Sequence, residues 1–123
     1  AGRANTTAII NGSTSSNVTN TEDYAAGFCN RYSRTNANGK GLTAGKWWLP
    51  STGEMAMIWS NFDKINYALS KISGAIQLQA NWYWTSTQHS ATDAWCLYLY
   101  DGFVNGLYKF NQTRVRPVSA FLY

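Results

Sequence analysis

Charge is scarce in this sequence. Only 13% of its 123 residues are Asp, Glu, Lys or Arg, against 15% aromatic. That balance excludes a disordered chain and a long coiled coil, both of which need more charge and fewer rings. Ten basic residues outnumber six acids, giving a net charge of +4. The basic residues are scattered from Arg3 to Arg116 with no run. No phosphate-tracking stripe is formed, so nucleic acid is not an expected partner. No apolar run approaches the ~20 residues of a membrane-spanning helix, so membrane insertion is not expected. No leader pattern opens the sequence, and its first residue does not speak for or against secretion.

Metal-binding and reactive residues are equally sparse. There are two cysteines, Cys29 and Cys96, and one histidine, His89. Their spacing matches no metal motif and no redox pair. Cys29 lies on an expected helix facing inward, and Cys96 on an outward strand face. Two free thiols are therefore expected rather than a bridge. His89 reads as a solvated loop residue. The Gly39–Gly45 stretch lacks the spacing of a phosphate loop. Asp101 to Asn105 holds too few acids for a calcium loop. No nucleophile elbow is present, and Asp93 has no identifiable partner carboxylate. Catalysis is disfavoured on these grounds, and no cofactor or metal is expected. Sequons begin at Asn5, Asn11, Asn17 and Asn111. In a chain this rich in Asn, Ser and Thr they arise by chance, and glycosylation is the weaker reading.

What is abundant is aromatic pattern, and it concentrates between Tyr83 and Val118. Residues 94–100, AWCLYLY, alternate. Trp95, Leu97 and Leu99 share one face of a strand, and Cys96, Tyr98 and Tyr100 the other. Asp101-Gly102 predicts a two-residue hairpin turn. Beyond it Val104 continues the inward face, while Phe103, Asn105 and Leu107 continue the outward one. Trp95, Leu97, Leu99, Val104, Val115 and Val118 suffice as a core set. Tyr98, Tyr100, Phe103 and Tyr108 are left on the face that should be wet. Two readings stand side by side: an exposed aromatic binding patch, or a second core under another layer.

The rest of the chain supplies helices. Residues 1–20 read as a polar extension anchored by Ile9, Ile10 and Val18, with a short helical turn after Asn5. Ala25, Phe28, Cys29 and Tyr32 follow the helical period, and predict a helix over Thr21–Ser33 with Glu22 and Asp23 in its first turn. Residues 34–46 read as a Gly/Asn loop. Ser51-x-x-Glu54 is a capping box opening a helix with Met55, Ile58, Trp59 and Phe62 inward. A further helical stretch from Asp63 places Ile65, Leu69 and Ile72 inward and ends at Ser73-Gly74. Asn81-Trp82-Tyr83-Trp84 opens the sheet-forming half, Thr85-Ser86-Thr87 is a polar turn or strand, and residues 88–93 form a loop. Residues 114–118, RVRPV, predict a last strand. The order gives one α+β domain, with helices packed on a small twisted antiparallel sheet.

Read together, Cys29, Trp48-Leu49-Pro50-Ser51-x-x-Glu54, Tyr83-Trp84-x-Ser86-Thr87, Ala94-Trp95, Gly102 and Val115-Arg116-Pro117-Val118 resemble bacterial C-type-lectin-like domains. Two groups share the pattern: variable proteins of diversity-generating retroelements, and surface domains of gut bacteria, some at fimbrial tips. The resemblance covers roughly residues 21–121. It implies the formylglycine-enzyme branch of the C-type lectin fold. The sugar- and calcium-binding tripeptides of true C-type lectins are missing, so lectin fold does not imply lectin activity.

The retroelement resemblance also implies a variable region, here 83–118. Such elements change adenines, mostly in AAC codons, which cannot then yield Lys, Gln, Glu, Met or Trp. The candidate contact positions are Ser90, Thr92, Asp93, Cys96, Tyr98, Tyr100, Asp101, Phe103, Asn105, Leu107, Tyr108, Phe110, Asn111 and Thr113. All carry residue types that AAC can reach, as do Gly106 and Arg114. Trp95 and Lys109 sit where the family pattern is fixed, and Gln112 is an exception. The resemblance thus implies a ligand-binding display domain, cell-surface or secreted, at a fimbrial tip or on a phage particle, with a protein or carbohydrate ligand. The alternatives are a fixed-specificity carbohydrate-binding or fimbrial-tip adhesin, and a structural module whose aromatic face packs on a neighbour. Arg116, fixed in the family pattern, is expected to tie the last strand to backbone carbonyls or to Glu54.

Overall fold

Helix α3, Thr52–Ser60, begins where two side chains close on each other. The Ser51 hydroxyl accepts the Glu54 N–H at 3.2 Å, and the Glu54 carboxylate accepts the Ser51 N–H at 2.9 Å. This is the capping box expected from S-x-x-E. The same carboxylate oxygen accepts the Gly2 N–H at 3.0 Å. One acid therefore fixes the start of α3 and the start of the chain's first helix together.

The structure, a computed structural model, describes residues 1–12, 24–109 and 111–120. The expected helical first turn at Thr21–Asp23, the anchor Val18, the sequon at Asn17 and the candidate Phe110 lie outside the described residues. Among those described, the order is α1 (Gly2–Gly12), α2 (Ala25–Arg31), β1 (Arg34–Thr35), β2 (Gly41–Leu42), α3, α4 (Phe62–Ser70), β3 (Trp82–Gln88), β4 (Asp93–Tyr98) and β5 (Val104–Tyr108). The architecture is α+β, with the antiparallel sheet β3-β4-β5 and a small β1-β2 ribbon.

Residues 1–12 depart from the expected short turn and loop. They form an eleven-residue helix. Its sequence pattern is weak, and tertiary contacts hold it in place. Thr6 is buried, and its hydroxyl accepts the Leu49 N–H at 2.9 Å while facing the carbonyls of Gly2 (2.8 Å) and Leu49 (3.3 Å). Asn5 donates to the Ser86 hydroxyl at 3.3 Å. A Cβ on Gly2 would collide with the Glu54 carboxylate and the Leu49 carbonyl, so only glycine allows this approach.

Residues 34–46, expected as loop, contain the β1-β2 ribbon. Helix α4 ends at Ser70, so Ile72 lies beyond it and is 59% exposed rather than inward. Asn66 on α4 pairs with Leu78 through both backbone groups, at 2.7 and 2.9 Å. That clamp draws the extended segment before β3 against the helix and buries Leu78.

β3 carries the polar run Thr85-Ser86-Thr87 as strand. The β3–β4 register jumps between Trp84↔Cys96 and Gln88↔Ala94. The bulge is satisfied from its own residues: the Thr85 hydroxyl donates to the Trp95 carbonyl at 2.7 Å, and Ser86 N–H donates to the Pro50 carbonyl at 2.8 Å. The far edge of β3 is covered, since Trp84 N–H donates to the Arg114 carbonyl at 2.9 Å. The expected last strand reduces to two single bridges, Tyr83↔Arg114 and Trp48↔Val118. Arg116 donates to the Ile76 carbonyl at 2.7 Å, a backbone tie of the kind expected. Glu54 is instead held by Ser51 and Gly2.

Each face of the sheet carries a core cluster. Tyr83, Leu97 and Leu99 pack with Met55 and Leu78 under α3 and α4. Trp84 and Cys96 pack with Cys29 of α2 and Leu49 on the other side. The alternation in 94–99 therefore has the expected phase, but the face assigned to water holds a second core beneath α2. Cys96 is fully buried. Both thiols are free, yet they share one cluster and are not separated by the sheet. Burial pushes each of them up to about 12. Within the expected core set, Leu97 and Leu99 are buried, and Trp95, Val115 and Val118 are half-buried. Val104 is 39% exposed because β5 is the sheet edge, beyond the reach of α3 and α4.

Candidate functional site

The turn after β4 is wider than two residues. Tyr98 N–H donates to the Phe103 carbonyl, and Gly102 N–H returns to the Tyr98 carbonyl, both at 2.8 Å. Leu99, Tyr100, Asp101 and Gly102 form the loop between them. Leu99 stays buried because its N–H reaches the Asn81 carbonyl at 2.9 Å and its side chain drops into the α3 core. Gly102 has φ +82°, and a Cβ there would stand 2.8 Å from the Trp59 ring. The loop backbone thus rests on an indole of α3. Asp101 adds an Asx turn by accepting the Phe103 N–H at 3.0 Å.

This frame sets out a run of rings. Trp82 of β3 stacks on Tyr98 with centroids 4.9 Å apart and planes 19° apart. Phe103 meets the Trp82 edge at 6.2 Å, and Tyr100 lies 5.8 Å from Tyr98. Tyr100 is 71% exposed and Phe103 57%, whereas Tyr98 is half-buried between its neighbours. The cross-strand pair Trp82↔Tyr98 is the source of this geometry. Asn105 is exposed on the same face, opposite Cys96.

The other candidates fall elsewhere. Cys96 is core and has no surface to offer a ligand. Leu107 is half-buried against the Cys29–Leu49–Trp84 cluster. Tyr108, 47% exposed, pairs with Asp93 and so lies on the Trp95 face, opposite to Tyr98. Its expected grouping with Tyr98 and Phe103 fails because residue 108 differs from 103 by an odd step. The Ser90 hydroxyl accepts the N–H groups of Thr92 (3.3 Å) and Asp93 (3.0 Å), which shapes the 89–92 loop. Lys109 clamps that loop through the Ala91 carbonyl at 3.1 Å. Asn111 is exposed, and its N–H takes the Tyr108 carbonyl. Thr113 is half-buried and donates to the Trp82 carbonyl at 2.9 Å.

The fourteen-residue set is thus divided. Tyr98, Tyr100, Asp101, Phe103 and Asn105 form one surface at the hairpin end. Ser90, Thr92, Asp93, Tyr108 and Asn111 lie toward the other end of the sheet. Two supporting residues carried no sequence signal of their role: Trp82, brought to Tyr98 by the β3 register, and Trp59, brought to Gly102 by the placement of α3. His89 is exposed as expected, but its ring meets Trp95 edge-on at 4.3 Å.

Among the described residues, no group of three or more His, Cys, Asp or Glu side chains could hold a metal ion. None of their helices is long and apolar enough to cross a membrane. No family model and no curated protein matches the chain.

Proposed function

We propose that the chain is a ligand-binding display domain of C-type-lectin-like fold, related to the variable proteins of diversity-generating retroelements. It is non-catalytic, and it acts at a cell surface or outside the cell. Its contact surface is the hairpin end of the sheet: Tyr100, Asp101, Phe103 and Asn105, with Tyr98 as their base. The ligand is a protein or a glycan.

One observation carries the reading. Two large rings, on Tyr100 and Phe103, stand exposed on a loop whose backbone is held independently of them. Trp59, Asn81 and the Trp82–Tyr98 stack do the holding. Exposed rings on a rigid base give contact area at low entropic cost. Their replacement leaves the supports untouched, which a diversified surface requires. The same rings would also serve a fixed-specificity adhesin, so the two readings part on variation and not on chemistry.

Sequencing the DNA around the gene tests the proposal. A reverse transcriptase gene and a near-identical template repeat should lie nearby, with AAC template codons at positions 100, 101, 103 and 105 and mismatches at the Tyr100, Asp101 and Phe103 codons. Independent isolates with invariant codons at these positions, and no template repeat, would assign the fixed-specificity adhesin instead.

A further inference from the structure

Among the described residues, β5 leaves one edge of the main sheet open. The far edge of β3 is closed by Pro50 and Arg114, but no described strand pairs with β5 on the side away from β4. The bonds Tyr98 N–H to Phe103 and Lys109 N–H to Thr92 fix the phase of the β4–β5 ladder. Cys96↔Asn105 and Ala94↔Leu107 are then bonded pairs, and Leu97↔Val104 and Trp95↔Gly106 are not. The N–H and C=O of Val104 and Gly106 consequently point away from β4. Among the described residues nothing bonds to them. Such an edge is a template for another strand.

The sequence around this edge is complementary to its own reverse. We propose that a second copy of this chain pairs β5 with β5 antiparallel about a two-fold axis at Asn105. In that register Val104 of one copy faces Gly106 of the other. Each such pair exchanges two backbone bonds, using the groups that are free and no others. Phe103 meets Leu107 of the second copy on the same face, twice. Asp101 sits in the turn before β5 and Lys109 just past its end, so the two-fold brings the Asp101 turn of one copy near Lys109 of the other at both ends, with opposite charges. Asn105 meets itself at the axis. The interface is isologous and closes as a dimer with one continuous sheet.

The inference rests on backbone phase and not on the ligand reading. Phe103 and Asn105 belong to both surfaces, so dimer formation and ligand binding there compete, while Tyr100 stays outside the pairing. Val104 is exposed, and its N–H makes no bond to β4. Val104→Pro therefore removes an outward donor and spares the internal ladder.

Sedimentation velocity of the purified chain over micromolar concentrations reads the dimer directly. The wild type should show a concentration-dependent dimer, and Val104→Pro a monomer with an unchanged far-ultraviolet spectrum. Asp101→Lys alone, or Lys109→Asp alone, should weaken dimerisation by about tenfold, because each sets like charges opposite each other at both ends. The double variant should restore it, which a merely structural role of either residue does not explain. A monomer at every concentration overturns the proposal. So does a dimer that ignores both Val104→Pro and the charge exchange, since it then uses another surface.

Discussion

Gly102→Ala probes the hairpin at the point where the loop backbone meets α3. Two costs arise. At φ +82° an alanine occupies the left-handed region, which costs ~1–2 kcal/mol for a residue with a Cβ. The new methyl also lies 2.8–2.9 Å from three atoms of the Trp59 ring, closer than real side chains approach. The methyl strikes the fused part of the indole and not a flexible tip, so overpacking adds ~1–3 kcal/mol. We expect a total of about 2–5 kcal/mol in urea unfolding, with the m-value unchanged. Trp59→Ala in the same background separates the two costs. It removes the ring that the methyl strikes, so Gly102→Ala should then cost only the ~1–2 kcal/mol of backbone strain. The double-mutant cycle should show a coupling of about 1–3 kcal/mol. A Gly102→Ala variant within ~0.5 kcal/mol of wild type, the scatter of ordinary surface changes, would refute the loop geometry and its seat on Trp59.

Three further outcomes are expected. Thr6→Val leaves the buried Leu49 N–H without its acceptor and should cost ~1–3 kcal/mol, measured by thermal or urea unfolding; a neutral result would mean that α1 is not docked through Thr6. Tyr98→Ala should cost ~0.5–1.5 kcal/mol beyond its lost area, through the Trp82 stack, whereas Tyr100→Ala should stay within ~0.5 kcal/mol of wild type; equal costs would contradict the split between base and tip. Cys29 and Cys96 should resist a thiol reagent at pH 8 in the folded chain and both react on unfolding, because burial pushes each up to about 12. Since the folded values are raised, this contribution is complete below the unfolded thiol range and is lost as pH climbs from there toward 12. Stability should fall by up to ~1.4 kcal/mol per pH unit per thiol above about pH 9; a flat alkaline profile would refute the burial of both groups.

Local chemistry was legible in the sequence, and long-range placement was not. The capping box at Ser51 and Glu54 and the phase of Leu97 and Leu99 are properties of neighbouring residues. They read correctly because period and cap depend on adjacent positions alone. The burial of Cys96 is not in the sequence, because alternation says that two faces differ and not that one is wet. Only the arrival of α2 and Leu49 decides that. Helix α1 has no local signature for a related reason: its stability comes from Gly2 and Thr6 meeting Glu54 and Leu49, far away in sequence. The bulge in β3 and the Trp82↔Tyr98 register carry no sequence marker. The aromatic surface was therefore readable as composition, while its base, its tip and its separation from Tyr108 were not.

Tolerance to substitution separates a display surface from a core most directly. Randomise Tyr100, Asp101, Phe103 and Asn105 together to all residues that AAC codons can reach, and sort the library for protease resistance. In parallel, randomise the buried Tyr83, Cys96, Leu97 and Leu99 in the same way. We expect most members of the first library to remain folded, with binders to new targets selectable from it, and almost none of the second to fold. Collapse of both libraries to the same small folded fraction would show that the hairpin rings are structural, and would contradict the display function.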